Sequence, residues 1–208
     1  MYKLHGLYVI TDPTLCGDAL LKKVEQAISG GAQIIQYRNK QADYKTQLKQ
    51  AVALQQLCKN HNRLFLINDN VSLAVESNAD GVHLGQTDGD IATARKSLGG
   101  NRIIGVTCHN DINAAKNAES RSANYVAFGR FYPSKTKPLA PHAEIEILRQ
   151  AKSQLNIPIV AIGGISVENA TNLITAGADM LAAIHAIFAQ QNVRHAAEEF
   201  TKLFPVEQ

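Results

Sequence analysis

Eight strands that alternate with helices and close into a (β/α)8 TIM barrel are the architecture expected of this 208-residue chain. Eight short apolar runs recur, segments of helical period separate them, and four of the runs share one entry pattern. Eight units leave about 26 residues each, near the minimum for a strand, a helix and two turns. We therefore expect a single domain over residues 1–208.

The expected strands are short, apolar and rich in β-branched residues. They are LYVIT (7–11), QIIQY (33–37), LFLIN (64–68), GVHLG (81–85), RIIGV (102–106), NYVAF (124–128), IPIVAI (157–162) and DMLAAI (179–184). Between them, residues 18–29 place Leu20, Val24 and Ile28 on one apolar stripe, and residues 45–59 show the same period. Strand and helix therefore alternate along the chain.

An internal repeat favours closure of the sheet. The repeated segments are 31-GAQIIQ-36, 78-NADGVHLG-85, 122-SANYVAFG-129 and 177-GADMLAAI-184. Their alanines lie 47, 44 and 55 positions apart, about two units each, so alternate strands look like copies of one pattern. An open doubly wound sheet is the alternative. It is disfavoured because Asp12-Pro13-Thr14 stands where that fold has a glycine-rich loop.

Composition narrows the classes of function. Hydrophobic residues at 45%, charged residues at 19% and a net charge of +3 are those of a globular protein without a basic nucleic-acid surface. The sequence shows no secretory signal and no apolar run of the roughly 18 residues that a membrane span needs. Cys16, Cys58 and Cys108 match neither a disulfide framework nor zinc spacing. We expect a cytoplasmic protein with small-molecule partners, binding neither nucleic acid nor membrane, and a homo-oligomer stays open.

Polar residues follow different strands, and in a barrel the carboxyl ends of all strands meet at one rim. These residues are Gln36, Arg38 and Lys40 after strand two, Asn68 and Asp69 after strand three, Gln86 and Asp88 after strand four, Thr107 and His109 after strand five, and the loop 130–141. Their convergence predicts a functional site at that rim.

Asp69 and Asp88 come directly after the third and fourth strands. Two carboxylates at one rim suit Mg²⁺, which takes one or two of them and completes its shell with phosphate oxygens and water. Local capping is the alternative, with Asn68 or Asp69 starting the helix at VSLAVES and Asp88 belonging to the turn before Asp90.

Cations at the same rim predict a polyphosphate ligand. They are Arg38, Lys40, Lys135 and Lys137. Four positive charges exceed what one phosphate and two carboxylates require, so a polyphosphate with Mg²⁺ is expected. A second phosphate position is expected at Gly163-Gly164 and Ile184-His185, where barrels commonly bind phosphate on backbone N–H groups. Turn glycines and solvated loop lysines are the alternatives.

Two residues of reactive type fit structural roles better. His83 lies mid-strand with Gly81 and Gly85 on its own face, so a satisfied interior histidine is expected. Cys108 is expected to be a packed thiol, because the sequence supplies no paired base. The role of His109 stays open.

Seven motifs in this order resemble the thiamine phosphate synthase family. They are QYRNK (36–40), IND (67–69), DGVHLGQTD (80–88), IIGVTCH (103–109), FGRFYPSKTKPLAP (128–141), AIGGI (161–165) and AIHAIF (183–188). The resemblance covers nearly the whole chain. It implies a (β/α)8 barrel that joins a hydroxymethylpyrimidine pyrophosphate to a thiazole phosphate and releases pyrophosphate.

The resemblance also implies a role for each matching residue. The pyrimidine pyrophosphate would be lined by Gln36, Tyr37, Arg38, Asn39 and Lys40, with Asn68, Thr107 and Lys137 completing that site. The thiazole phosphate would be received by Ser134, Lys135, Thr136, the backbone of Gly164, Ile184 and His185. Asp69 and Asp88 would hold Mg²⁺, and Arg38, Lys40 and Lys137 would be catalytic.

Departures from the family pattern are modest. Arg130 stands where relatives have Pro, Thr107 and His185 replace Ser, and Asn70 replaces Arg. Thr107 keeps the hydroxyl, whereas the role of Arg130 is not assigned. Three other functions are alternatives: a thiazole tautomerase of the same superfamily, a non-catalytic barrel that binds phosphorylated ligands, and a phosphosugar isomerase. The tautomerase should lack the paired aspartates and the Thr-Lys of SKTK, and the isomerase gives no reason for Asp69 with Asp88. Retention of the leaving-group contacts argues against the non-catalytic barrel, which stays open.

Overall fold

The computed structural model describes residues 4–133 and 140–205, and within them eight parallel strands pair in chain order. The strands are β1 (Gly6–Ile10), β2 (Ile34–Tyr37), β3 (Leu64–Asn68), β4 (Gly81–Leu84), β5 (Ile103–His109), β6 (Tyr125–Phe128), β7 (Ile159–Ile162) and β8 (Met180–Ala183). β8 pairs with β1, with Gly6 opposite Met180, so the sheet closes. Closure confirms the (β/α)8 barrel and excludes the open doubly wound sheet.

Helices connect the strands and surround the barrel. They are α1 (Pro13–Cys16), α2 (Leu20–Ser29), α3 (Tyr44–Asn60), α4 (Val71–Glu76), α5 (Ile91–Leu98), α6 (Ile112–Ser120), α7 (Glu146–Gln154), α8 (Val167–Thr175), α9 (His185–Phe188) and α10 (Val193–Thr201). A 3₁₀ turn at Gly17–Ala19 precedes α2, so the first expected helix begins two residues late. No helix within 4–133 and 140–205 is both long and apolar enough to span a membrane.

Alternation along each strand divides its side chains between two cores. The barrel interior contains Tyr8, Ile10, Ile34, Leu64, Leu66, Tyr125, Ala127, Val160, Met180 and Ala182. Outward residues such as Leu7, Ile35 and Phe65 pack against the helices in a larger second core. The stripe predicted on α2 supplies Val24 and Ile28 to that core, and burying such a side chain contributes about 1.5–3 kcal/mol.

The repeat in the sequence corresponds to one backbone contact made three times. Asp80 and Asp179, which precede β4 and β8, each accept the N–H of a residue at the start of the strand before, Phe65 and Ile159 respectively. Asn124, which precedes β6, accepts the N–H of Ile104 in β5 in the same way. The polar residue of the repeat therefore joins each of β4, β6 and β8 to the strand before it, at the end of the barrel opposite the rim.

Helix caps leave the predicted metal ligands available. The Asn70 side chain accepts the Leu73 N–H at 2.9 Å and caps α4, and Asp90 accepts the Thr93 N–H at 3.0 Å and caps α5. The suggestion that Asn68 or Asp69 begins α4 is therefore wrong, because Asn70 occupies the cap. The Asp69 carboxylate therefore does not cap α4.

Candidate active site

The last two residues of β2, Gln36 and Tyr37, point to opposite sides of the barrel wall. Gln36 points inward, is 2% exposed, and donates from Nε2 to the Tyr8 hydroxyl at 2.5 Å. Tyr37 points outward, and its hydroxyl donates to Gln50 Oε1 of α3 at 2.6 Å. The same Gln50 oxygen accepts from Asn39 Nδ2 at 3.2 Å, so Tyr37 meets the rim through Gln50 and Asn39.

Arg38 continues β2 and is half-buried at the mouth. Its backbone is fixed by Thr11 at the end of β1, whose Oγ1 accepts the Arg38 N–H at 2.9 Å and donates to the Arg38 carbonyl at 3.3 Å. Its side-chain Nε is buried, and no described residue accepts from it. A buried guanidinium N–H without an acceptor costs about 1–3 kcal/mol, so this position suits an anionic ligand.

Asp69, at the end of β3, meets two other predicted residues. Its backbone has φ 63°, a left-handed conformation that a non-glycine residue adopts at a cost, and its N–H donates to the His83 carbonyl at 2.8 Å. Lys40 Nζ lies 2.7 Å from Asp69 Oδ2. The Asp88 carboxyl hydrogen-bonds to Asp69 from the next strand loop. Three loops thus bring charges of both signs together.

The short loop after β4 holds Asp88 against Gly85, where a side chain would not fit. Its Oδ2 accepts the Gly85 N–H at 2.9 Å, and a Cβ at Gly85 would overlap that oxygen. Burial and the neighbouring Asp69 raise the pKa of Asp88. Burial alone would raise the pKa of Asp69, but hydrogen bonds from Lys40 and Asp88 hold it below its usual value. The pKa values of the two carboxyl groups therefore depend on each other.

A pocket of about 150 Å³ opens between these loops. It is lined by Tyr37, Asn39, Lys40, Gln47, Asn68, Asp69, Asn70 and Leu73. Five of these residues were predicted site residues, and Gln47 was not: it donates from Nε2 to the carbonyls of Asn39 at 2.9 Å and Ala42 at 3.0 Å. The described structure contains no group of three or more His, Cys, Asp or Glu placed to hold a metal ion.

Thr107 lies at the mouth end of β5, which runs three residues beyond the apolar run expected from the sequence. The pairing with β6 is irregular between Thr107 and His109, and polar residues here conceal the end of the strand. Thr107 Oγ1 lies 2.8 Å from His83 Nε2, and Gln86 Nε2 donates to the Thr107 carbonyl. His83 is therefore a partnered interior histidine, as expected.

The expected phosphate position combines two glycines at positive φ with a short helix. Gly163 and Gly164 have φ 104° and 64°, and a Cβ on Gly164 would overlap the backbone of Tyr132 and Pro133. Ile184 precedes α9, which begins at His185, and the Nδ1 of His185 is buried with no acceptor or donor among the described residues. Four further predicted residues lie outside the described residues: Ser134, Lys135, Thr136 and Lys137.

The contacts of Arg130 and the burial of Cys108 indicate structural roles for both residues. Arg130 donates from Nε to the Ala140 carbonyl at 2.9 Å, and its N–H donates to the Pro141 carbonyl at 2.9 Å, so it joins the two ends of the β6–α7 loop. Cys108 is 1% exposed, and burial raises the pKa of its thiol to about 12. Both observations agree with Cys108 as a packed thiol rather than a nucleophile.

Sequence reasoning missed the residues that hold the site in place. Thr11, Gln47 and Gln50 form hydrogen bonds to the predicted residues across 8 to 27 positions of sequence, so no local motif identifies them. Thr11 offered one signal, a polar residue at the end of an apolar strand. Gln47 and Gln50 lie among several similar residues on α3.

The fold and the mouth define a class: a (β/α)8 barrel whose rim carries two interacting aspartates, a glycine pair and an arginine whose buried Nε has no partner among the described residues. The sequence profile described as thiamine monophosphate synthase matches residues 7–187. The chain therefore belongs to the thiamine monophosphate synthase family, a family of transferases in thiamine biosynthesis, as the motifs indicated.

Individual relatives agree over nearly the full length. A thiamine-phosphate synthase from Alcanivorax borkumensis is 49% identical over 208 residues, covering 98% of this chain and 96% of the relative. One from Methylococcus capsulatus is 48% identical over 199 residues, covering 96% and 89%. The solved thiamine phosphate pyrophosphorylase from Pyrococcus furiosus superposes with a TM-score of 0.87 at 35% identity, covering 95% and 94%.

Proposed function

We propose that this chain joins 4-amino-2-methyl-5-(diphosphooxymethyl)pyrimidine to 4-methyl-5-(2-phosphoethyl)thiazole in an Mg²⁺-dependent alkyl transfer. The products are thiamine phosphate and pyrophosphate. One observation carries the residue-level proposal: Asp69 and Asp88, from two different loops, interact with each other, and Lys40 and Arg38 lie at the same mouth, Arg38 with a buried Nε that no described residue accepts from. The three free, buried cysteines support a cytoplasmic location.

The aspartate pair fits Mg²⁺ on chemical grounds. Two carboxylates in contact repel when both are ionised, and the raised pKa of Asp88 reflects both its burial and that neighbour. Hard oxygen donors in this number suit Mg²⁺, with phosphate oxygens and water supplying the remaining ligands. When bound, Mg²⁺ would stabilise negative charge on the pyrophosphate. Asp69 and Asp88 are the proposed ligands.

Three cationic residues are proposed to stabilise the leaving pyrophosphate. Arg38 supplies a planar fork of N–H donors, and its buried Nε is preset for an acceptor. Lys40 neutralises Asp69 and is 57% exposed, so its ammonium can reach a ligand at the mouth. Lys137 comes from the family resemblance alone. Fixed positive charge that meets charge developing in the transition state is the principal source of acceleration here.

The remaining predicted residues are proposed to bind and orient the two substrates. Gln36, Asn68 and Thr107 would contact the pyrimidine diphosphate, and Tyr37 and Asn39 would support that side of the mouth through Gln50. The thiazole phosphate is proposed to lie on the backbone N–H groups of Gly164, Ile184 and His185 and on Ser134, Lys135 and Thr136. Backbone N–H groups at the first turn of α9 have no acceptor within the helix.

Carbon–oxygen cleavage at the pyrimidine methylene is proposed to precede attack by the thiazole nitrogen. The 4-amino group stabilises the positive charge on the pyrimidine by resonance, so the protein need not supply a nucleophile. This agrees with the surroundings of Cys108, whose thiol stays protonated near neutral pH.

Steady-state assays test the reaction and its metal requirement. The purified chain, given both substrates and Mg²⁺, is expected to produce thiamine phosphate and pyrophosphate in equal amounts, and a chelator is expected to abolish both. Proton exchange on the thiazole without pyrophosphate release would instead favour a tautomerase. Binding of both substrates without turnover would favour a non-catalytic barrel.

Replacing Lys137 tests the leaving-group role of the SKTK motif. Removing one well-placed donor to developing charge typically costs about 10²–10³ in rate, so Lys137→Ala is expected to lose turnover on that scale while its circular dichroism spectrum stays unchanged. Near-normal turnover in the folded variant would remove Lys137 from the mechanism.

A further inference from the structure

A continuous chain of hydrogen bonds crosses the barrel interior beneath the mouth. Gln36 Nε2 donates to the Tyr8 hydroxyl at 2.5 Å, and the hydroxyls of Tyr8 and Tyr125 are 2.9 Å apart. Tyr125 lies 2.8 Å from His83 Nδ1, and His83 Nε2 lies 2.8 Å from Thr107 Oγ1. This series of hydrogen bonds begins at Gln36 and ends at Thr107, two residues proposed to contact the pyrimidine diphosphate. It therefore links two substrate contacts on β2 and β5.

The surrounding structure holds these side chains in one arrangement. Tyr8 is 1% exposed and Tyr125 is completely buried. The Tyr125 ring stacks on His83 with centroids 5.6 Å apart and meets the Tyr8 ring edge-on at 6.1 Å. A Cβ on Gly105 would overlap the Tyr125 ring, so β5 carries glycine where that ring passes. A buried polar chain of this kind is stabilising only when all its members are partnered.

The donor of one hydrogen bond in this series determines the donor of every other. Each hydroxyl has one proton and neutral imidazole has one N–H, so the first bond fixes the direction of every later bond. With Gln36 donating, Tyr8 donates to Tyr125, Tyr125 donates to His83 Nδ1, and His83 donates from Nε2 to Thr107. Gln36 Oε1 is then the atom of that amide left to accept from a ligand, and the Thr107 hydroxyl keeps its proton for a ligand.

We propose that Tyr8, Tyr125 and His83 are positioning residues that fix Gln36 as an acceptor and Thr107 as a donor, and so select 4-amino over 4-oxo pyrimidines. The proposal rests on the function proposed above, in which Gln36 and Thr107 contact the pyrimidine. A 4-amino group donates hydrogen bonds and finds Gln36 Oε1. A 4-oxo group accepts them and would need the Gln36 amide reversed, together with every bond of the chain.

Burial supports the persistence of this arrangement. It raises the pKa of Tyr8 and of Tyr125 well above the usual tyrosine value, so both hydroxyls keep their protons over the pH range in which enzymes work. Reversal of the chain cannot therefore occur by loss of a tyrosine proton and requires all members to turn together.

Removing the central hydroxyl tests the proposal by ligand discrimination. The measurement compares inhibition constants for two pyrimidine monophosphates that differ only in carrying a 4-amino or a 4-oxo group. In Tyr125→Phe the Gln36 amide is no longer fixed, and the preference for the amino compound is expected to fall about tenfold, as for loss of one oriented hydrogen bond. The KM for the thiazole phosphate is expected to stay the same.

Two further variants separate positioning from a general loss of stability. Tyr44→Phe deletes a hydroxyl that bonds Glu76 on the helix layer, and it is expected to leave the preference unchanged. Tyr8→Phe combined with Tyr125→Phe is expected to lower the preference no further than either single change, because both break one chain. An unchanged preference in Tyr125→Phe, or additive losses, would overturn the proposal.

A measurement on the unaltered protein guards against variants that fail to fold. Nitrogen-15 NMR of the imidazoles distinguishes the tautomers, with the His83 signals assigned by their loss in His83→Gln. The Nε2–H tautomer is expected, and an Nδ1–H tautomer or an imidazolium would overturn the assigned direction. Failure of the proposed function is distinguishable, since it would appear as absence of thiamine phosphate synthesis in the unaltered chain.

Discussion

Single residues at the mouth of this barrel are held in arrangements that serve a ligand better than they serve the fold. Arg38 keeps a buried Nε that no described residue accepts from, Asp69 adopts a left-handed backbone, and Asp88 interacts with the Asp69 carboxyl group. Each arrangement costs free energy in the ligand-free protein, and strain of this kind concentrates at functional sites. Replacing such a residue is therefore expected to separate stability from activity.

Arg38→Met makes that separation measurable. The change removes a buried unpartnered donor and keeps much of the side-chain volume, so the free energy of unfolding is expected to stay equal or rise by about 1 kcal/mol. At the same time kcat/KM for the pyrimidine diphosphate is expected to fall by about 10²–10³. Denaturant unfolding and steady-state kinetics are the two measurements.

Arg63→Met is the matched control for that variant. Arg63 also has a buried Nε without a partner in the described structure, but it precedes β3 at the opposite end of the barrel. A similar effect on stability with unchanged kinetics is expected. Loss of activity in Arg63→Met, or full activity in Arg38→Met, would contradict the role given to Arg38.

Gly85 offers a way to move Asp88 without replacing it. A methyl group at Gly85 would occupy the place of Asp88 Oδ2, so Gly85→Ala is expected to displace that carboxylate and raise the half-saturating Mg²⁺ concentration about tenfold. Gly100→Ala is the control, because a Cβ there meets nothing within 4 Å. Equal Mg²⁺ dependence of the two variants would show that the position of Asp88 does not govern metal binding.

Strands and helices were largely predictable from the sequence, because apolar runs and helical periods arise from local burial. The exceptions are the end of one strand and the start of one helix, both at the mouth of the barrel. β5 extends through Thr107 to His109, polar residues that give no strand signal, and Asn70 rather than Asp69 caps α4. The repeated alanine pattern was visible, but the contact behind it was not, since each polar residue bonds a strand about 15 to 20 positions earlier.

Asn124 tests that contact between strands. Its Oδ1 accepts from the Ile104 N–H at 2.8 Å and from Arg95 at 2.7 Å, and Asn124→Ala would leave the buried backbone donor unpartnered. A loss of about 1–3 kcal/mol in the free energy of unfolding is expected, with unchanged KM values. Asn124→Asp restores the acceptor that Asp80 and Asp179 supply in the other repeats, and it is expected to recover most of the loss. Equal destabilisation by both changes would contradict the role of the acceptor.

At the scale of the whole molecule, closure of the barrel gathers residues that are far apart in the sequence. Arg38, Asp69 and Asp88 belong to three loops, yet parallel strands in register deliver them to one rim. This convergence was predictable, because strand order and direction determine it. The buried chain from Gln36 to Thr107 was not, since it depends on which interior side chains come within 3 Å across the barrel.

Because the mouth joins loops that are independent in the unfolded chain, a ligand that binds there should stabilise the entire barrel. Pyrophosphate with Mg²⁺, at about one hundred times its dissociation constant, would add about 2.7 kcal/mol and raise Tm by about 5–10 °C. Without Mg²⁺ the Asp69–Asp88 pair faces the anion directly, so a much smaller rise is expected. Differential scanning fluorimetry with pyrophosphate, Mg²⁺, both, or neither provides the measurement.

Asp69→Asn combined with Asp88→Asn is the decisive variant in that experiment. It removes the proposed metal ligands and their mutual repulsion, so added Mg²⁺ is expected to give no further stabilisation over pyrophosphate alone, while the cations Arg38 and Lys40 still hold the anion. If the unaltered protein were stabilised equally by pyrophosphate in a chelator, the aspartates would not act through a metal. If the variant kept the full Mg²⁺ effect, the ion would bind elsewhere, and the link between barrel closure and the proposed metal site would be lost.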